Sequence, residues 1–299
     1  MIHSKNTRKL GREDRIFYAI SYTVVLMCLL LVLYPVVYVV SASFSSGSAL
    51  VNGKVWLWPV DFSLEGYKAV LKYKSVWIGY RNTIFYTILG TLINISMTML
   101  CAYPLARRNL IGRKAITFLF TFTMLFSGGM IPGYLLMKGL NILNTIWVMV
   151  LPGALSVYNM IVARTFIQSN IPGELLEAAQ IDGCDDTRFF FQMVLPLSKA
   201  VIAVLTLWYA VGHWNAYFNG MLYLKDKELY PLQLFLKEVL VQSTFSAEYL
   251  DPEVAEQLRN MQLLLKYSLI VISSAPLMVI YPFIQKYFAK GVMIGSVKG

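Results

Sequence analysis

Long stretches without a charged side chain recur along this sequence, and they decide what it can fold into. Residues 16–40, 82–103, 115–137 and 142–163 contain no Asp, Glu, Lys or Arg, and residues 195–213 and 263–284 each contain one lysine near the start. About 20 apolar residues carry a helix across the hydrocarbon core of a bilayer. A helix suits that environment because its backbone hydrogen bonds are satisfied within the segment. The expected fold class is all-α integral membrane, with six transmembrane helices.

Composition supports the same class. Hydrophobic residues make up 57% of the 299-residue chain and charged residues 14%, against about 25% charged in a typical soluble domain. The formal net charge of +10 raises nucleic-acid binding as a reading. Lys and Arg flanking apolar spans explain it better, so no nucleic-acid partner is expected and membrane lipid is. The first apolar stretch is too long for a signal-peptide core and lacks a small-residue cleavage site. Cys28, Cys101 and Cys184 suggest no disulfide framework. His3 and His213 leave little material for a metal site or a histidine catalyst, and none is expected.

Orientation follows from the short connections. Five Lys/Arg lie in residues 1–15, four in 104–114 and three in the tail, whereas the 138–141 turn has one and the 42–79 loop spreads four over its length. Cytoplasmic loops collect such residues, so both termini are expected in the cytoplasm. That topology also puts residues 164–194 there. Residues 1–15 read as a basic cytoplasmic segment and residues 16–299 as one membrane domain. Residues 42–79 read as a polar, aromatic loop, and within 214–262 two amphipathic pieces stand out, 232–241 and 252–264. Pro35 is expected to kink the first span. Gly128, Gly129 and Pro132 break the third, and Pro152 lies inside the fourth.

Residues 171–197, IPGELLEAAQIDGCDDTRFFFQMVLPL, are the conspicuous polar interruption. Pro172 suits the first turn of a helix, Glu174 and Glu177 favour its positive N-terminal end, and Gly183 is a natural left-handed stop. Asp185 or Asp186 then caps a second helix running into Leu195 and Pro196. The expected product is a rigid cytoplasmic elbow between the fourth and fifth spans. Its first helix can lay Leu175, Leu176 and Ala179 into a groove on a partner.

EAAQIDG, nine further residues and then MVLP resemble the cytoplasmic signature of ABC importer membrane subunits. The matching residues are Glu177, Ala178, Ala179, Gly183, Leu195 and Pro196, with Met193 standing where the pattern usually has Ile. NTIFYTILGTLIN…CAYPLARR, HWNAYF and the terminal QKYFAKGVMIGSVKG are similar to the carbohydrate-uptake branch, as in the second membrane subunit of maltose-type importers. Within that branch the chain looks closest to permeases of Gram-positive oligosaccharide systems. The resemblance implies a type I transmembrane domain, with those six residues coupling it to ATPases. It also implies a homologous second permease, two ATPase subunits, an extracytoplasmic solute-binding protein, a carbohydrate substrate and a place in the bacterial cytoplasmic membrane.

No G-x-x-x-x-G-K-[ST] loop occurs in the sequence. The chain is therefore expected to be no enzyme and to bind no cofactor, ATP and Mg belonging to the partner ATPases. Substrate-pathway candidates are Asn94, Asn144, Asn159, Trp208, Trp214, Asn215 and Tyr217, because aromatic faces stack on sugar rings and amides pair with hydroxyls. Interhelical hydrogen bonds and interfacial aromatic belts are the favoured reading of each of these residues taken singly. Trp214 and Asn215 also suit a structural corner. His213 reads as a partnered interface residue, the Arg107–Arg108 pair as a topology anchor that could also brace an ATPase, and the Asp185–Asp186 pair as capping residues rather than metal ligands. Rival functions are an ABC permease for a non-sugar solute, an ion-coupled secondary transporter and a membrane-embedded transferase. The second needs ionisable residues at mid-membrane, which the cores of these spans lack. The third needs an acidic or His cluster outside the elbow.

Overall fold

The computed structural model describes residues 11–242 and 252–296. Regular structure among them is entirely helical. In chain order the helices are α1 (Arg12–Ser43), α2 (Gly47–Val51), α3 (Glu65–Lys72), α4 (Lys74–Ala106), α5 (Arg113–Leu125), α6 (Met130–Gly139), α7 (Trp147–Val150) and α8 (Val157–Asn170). There follow α9 (Gly173–Ile181), α10 (Asp186–Phe189), a π-helical turn at Phe190–Val194, α11 (Leu195–Leu197) and α12 (Lys199–Trp214). The last are α13 (Phe218–Tyr223), a 3₁₀ turn at Lys227–Leu229, α14 (Leu232–Gln242) and α15 (Pro252–Ser296). The contacts divide the chain into two compact units, Met1–Val70 with Ser243–Val271, and Leu71–Gln242 with Ile272–Gly299.

In the first unit α1 continues through Pro35 and exposes apolar side chains over most of its length, as a helix facing hydrocarbon does. Only its end turns inward, where Ala42 packs with Ala49, Leu50, Val55 and Leu264. The segment after it is more ordered than the polar loop expected over 42–79, which holds α2, α3 and the first turns of α4. Serines knit it together. Ser41 Oγ donates to the Leu57 carbonyl at 2.6 Å, Ser45 Oγ accepts the Val60 N–H at 3.1 Å, and Ser43 Oγ lies 2.8 Å from the Tyr67 hydroxyl. A Cβ on Gly66 would stand 2.9 Å from the Leu264 carbonyl oxygen, so only glycine permits that approach.

The second unit is built on α4. One face of α4 (Met99, Ala102, Leu105) packs with Met160 and Ala163 of α8 and with Val201, Leu205 and Tyr209 of α12. Nearer the start of α4, Tyr86 joins Val148, Met149, Val150 and Leu224.

The predicted spans fare unequally. Among the described residues three helices are long and apolar enough to cross a membrane, corresponding to 16–40, 82–103 and 263–284. The third predicted span is two helices, α5 and α6, bent by 113° across Phe126–Gly129. Gly129 has φ +88° there, a conformation open to glycine and costly for other residues. The fourth is not one helix but α7 and α8, separated at Pro152 and Gly153 (φ +77°). The fifth starts four residues later than predicted, at Lys199, beyond a 78° bend. Of the two amphipathic pieces, 232–241 is α14, and 252–264 is the start of α15 rather than a separate helix. Residues 1–10 lie outside the described residues, as do the terminal residues 297–299.

Candidate functional site

The elbow begins at Pro172, which is the residue before α9 rather than inside its first turn. Its extended backbone (ψ 145°) and fixed φ set the entry angle. At the far end Gly183, at φ +76°, donates to the Gln180 carbonyl at 3.0 Å, and Cys184 N–H donates to the Ala179 carbonyl at 2.8 Å. These two bonds form a complete Schellman stop. Asp185 caps α10 by accepting the Arg188 N–H at 2.9 Å. The two helix ends that face each other across Gly183 are thus both capped within the elbow.

Beyond α10 the chain widens into the π turn Phe190–Val194. In a regular α-helix the ring of Pro196 would strike the Gln192 carbonyl, and a widened turn relieves that clash. Helical structure continues to Leu197 and then bends by 78° at Ser198 into α12. Ser198 is fully buried, and its N–H is shared between the carbonyls of Val194 (2.9 Å) and Leu195 (3.2 Å).

The faces of α9 differ from expectation. Leu175, Leu176 and Ala179 turn toward this chain's own core, against the cluster containing Phe166, Phe189 and Phe190, and Ala179 is buried. The small side chain of Ala179 lets the elbow seat closely on that core. The opposite face exposes Glu174, Glu177, Ala178 and Ile181, the last at 86%. Spacings of three and four residues put these four on one side of the helix.

One ion pair was not foreseen. Arg107, the residue following α4, pairs with Asp186 at the start of α10. Arg107 is largely buried and Asp186 more than half exposed. The guanidinium lies 5.9 Å from the Tyr103 ring centroid. Burial alone pulls the Arg107 pKa down. The bonds and charges of Asp186 and Tyr103 together outweigh it, so the group sits above its ordinary value. Of the Asp185–Asp186 pair, one caps and the other forms this bridge. The only hint in the sequence is opposite charge on two segments assigned to the same side of the membrane.

The seven pathway candidates do not converge on one surface. Asn94 is buried and donates to the carbonyls of Gly153 (2.8 Å) and Ala154 (2.9 Å), bracing the break between α7 and α8. Its Nδ2 being committed, its Oδ1 faces His213 Nε2 at 2.6 Å and fixes that nitrogen as the protonated one. His213 is therefore a partnered interface residue. Alongside, the hydroxyls of Thr98 and Tyr209 lie 2.7 Å apart, and Tyr209 accepts the Ser156 N–H at 3.3 Å. Asn144, at φ +57°, accepts the N–H groups of Lys225 and Asp226, both at 2.9 Å. Asn159 is buried at the start of α8. Trp214 is buried and donates to the Ser273 carbonyl at 3.0 Å, while Asn215 ends α12 by donating to Val211 at 2.9 Å. Trp208 lies 5.9 Å from the exposed Tyr158 ring, and Tyr217 is part-exposed. Trp208 is part-buried against the core and Tyr158 and Tyr217 are exposed, whereas Asn94, Asn144, Trp214 and Asn215 hold the fold.

The chain has relatives that match most of its length. It is 39% identical over 287 residues to the polygalacturonan/rhamnogalacturonan transport system permease protein YtcP of Bacillus subtilis (strain 168), covering 96% of this chain and 100% of that protein. Protein LplC of the same organism is 40% identical over 265 residues, 89% of each chain. The melibiose/raffinose/stachyose import permease protein MelC, also from that organism, is 29% identical over 82% of this chain and 84% of its own. Among solved structures, a chain of a bacterial ABC transporter involved in the import of the acidic polysaccharide alginate matches with TM-score 0.85 and 35% identity, covering 94% of this chain and 100% of that one. No protein-family model matches. With apolar helices of membrane-spanning length, a polar elbow at the EAA signature and relatives of this kind along most of its length, the chain belongs to the family of carbohydrate ABC transport system permeases.

Proposed function

We propose that this chain is the multi-pass permease subunit of a binding-protein-dependent importer in the bacterial cytoplasmic membrane, moving an oligosaccharide by alternating access. Two ATPase subunits supply the energy, a homologous permease completes the path, and an extracytoplasmic binding protein delivers substrate. The names of the relatives, all for carbohydrate systems where a substrate is given, support the substrate class. One observation carries the coupling role: α9 anchors one face on this chain's core and leaves Glu177, Ala178 and Ile181 outward. An exposed carboxylate beside an exposed apolar residue on a rigid mount suits a groove that offers a cation. Glu177 and Ala178 make the contact. Ala179 and Gly183 set the mount, and Leu195 and Pro196 lead the motion into α12.

The membrane domain crosses six times with both termini in the cytoplasm, the fourth crossing being α7 and α8 in series. Non-helical backbone is tolerated at membrane depth where protein buries and satisfies it. Asn94 and Tyr209 do this for Gly153, Ala154 and Ser156. Of the aromatic candidates, the Trp208–Tyr158 pair, with ring centroids 5.9 Å apart, is assigned to the sugar path.

Uptake of labelled oligosaccharides into proteoliposomes tests this reading. The chain alone is expected to show no uptake and no ATPase activity. The complete complex with binding protein is expected to accumulate sugar on ATP, unaffected by a protonophore. Uptake by the chain alone, or uptake that follows an ion gradient instead of ATP, refutes it.

A further inference from the structure

We propose that Arg107 is a second transmission residue, carrying displacement of the elbow directly into α4 through its ion pair with Asp186. This rests on the reading that the elbow receives motion from an ATPase.

The route through Pro196 and α12 has a weak point. Helical structure bends by 78° at Ser198, and a push along Asp186–Leu197 can be absorbed there as a change of angle. The Arg107–Asp186 pair bypasses that bend. It joins the beginning of the elbow's second helix to the residue that ends α4. Charge and helix polarity agree on both sides, since a cation is favoured at a helix C-terminus and an anion at an N-terminus. The α4 end is held from two further directions. Gln168 of α8 donates to the Ala106 carbonyl at 3.1 Å, and Arg113 of α5 donates to the Arg107 carbonyl at 3.2 Å. With Tyr103 beneath its guanidinium, Arg107 is set in a fixed mount rather than swinging on a free side chain.

The two routes converge. Along the membrane α4 and α12 are bound by the Thr98–Tyr209 and Asn94–His213 contacts, and Gly90 leaves the notch that the His213 ring fills. A displacement entering α4 through Arg107 and α12 through Pro196 therefore moves one body. Removal of Arg107 leaves only the route that can flex at Ser198.

The test uses the complete transporter in proteoliposomes, with sugar transported per ATP hydrolysed as the readout. ATPase co-purification and thermal unfolding are measured in parallel. Arg107→Glu and Asp186→Arg are each expected to lower the ratio about fivefold or more, the span of typical coupling energies, with the ATPases still bound. Partial restoration is expected from the double reversal Arg107→Glu/Asp186→Arg, which remakes the pair against the helix polarity. It is likewise expected from joining Arg107→Cys to Asp186→Cys with a short bifunctional thiol reagent that replaces the reach of the Arg side chain, in a background lacking Cys28, Cys101 and Cys184. A wild-type ratio in both single variants, a parallel fall of transport and hydrolysis with lowered thermal stability, or failure of both the reversal and the crosslink to restore the ratio overturns the inference. Glu177→Lys separates the two levels. If it releases the ATPases while Arg107→Glu leaves coupling intact, the elbow reading stands and the Arg107 route fails. If Glu177→Lys changes nothing, the elbow reading itself fails.

Discussion

Gly90→Ala is a small change with a large consequence in this architecture. A Cβ at residue 90 would lie 2.8 Å from Nδ1 of His213 and closer still to Cε1 and Nε2. The ring must retreat by about 1 Å to regain ordinary contact, and a 2.6 Å bond to Asn94 stretched by that much is no longer a hydrogen bond. Overpacking costs about 1–3 kcal/mol and a lost interhelical bond in a membrane about 0.6–2 kcal/mol. Alanine returns about 1 kcal/mol through its higher helix propensity. The net expectation is a loss of about 1–4 kcal/mol. Thermal or denaturant unfolding in detergent, followed by circular dichroism, measures it. A double-mutant cycle identifies the cause, because His213→Ala empties the notch. In that background Gly90→Ala is expected to become neutral or stabilising by up to about 1 kcal/mol, a coupling of about 1–5 kcal/mol. An equal effect of Gly90→Ala in both backgrounds refutes the packing argument.

Three further outcomes follow from the elbow and the path. Asp185→Ala removes the cap of α10 and is expected to cost about 0.5–2 kcal/mol locally, seen as faster amide exchange over 185–189 with the membrane helices unchanged. Gly183→Val forces a branched residue to φ +76°, costing about 1–2 kcal/mol, and is expected to lower transport before it lowers the unfolding temperature. Trp208→Ala removes an aromatic face beside Tyr158 and is expected to raise the sugar concentration for half-maximal uptake while ATPase co-purification is unchanged.

Much of this was legible in the sequence because it rests on local rules. Runs without charge located the apolar segments, and Gly128 and Gly129 marked the place where the third gives way, although Pro132 sits within the first turn of α6 and the fourth segment, expected to run through Pro152, is broken there. The elbow's Gly183 stop and Asp185 cap are set by their own neighbours. What a break becomes is decided by tertiary partners. The gap after α7 is held by Asn94 and Tyr209, which lie far from it in the sequence, so local pattern could not separate a kinked span from two helices. The face of α9 was misread for a related reason. Leu175, Leu176 and Ala179 on one side, and Ala178 and Ile181 on the other, are all apolar, and only the position of Phe166, Phe189 and Phe190 decides which side is covered. The Arg107–Asp186 bridge joins two segments that each looked complete, one as a topology anchor and the other as a cap.

The central claim is that α9 is where an ATPase docks, and a single reactive cysteine at its tip tests that most directly. In a background lacking native cysteines, Ile181→Cys is expected to crosslink to an ATPase subunit in the assembled transporter and to be labelled only from the cytoplasmic side, whereas Ala179→Cys, buried against this chain's own core, is expected to do neither efficiently. Labelling of Ile181→Cys from outside intact cells, or its failure to crosslink to an ATPase in a complex that transports, contradicts the account.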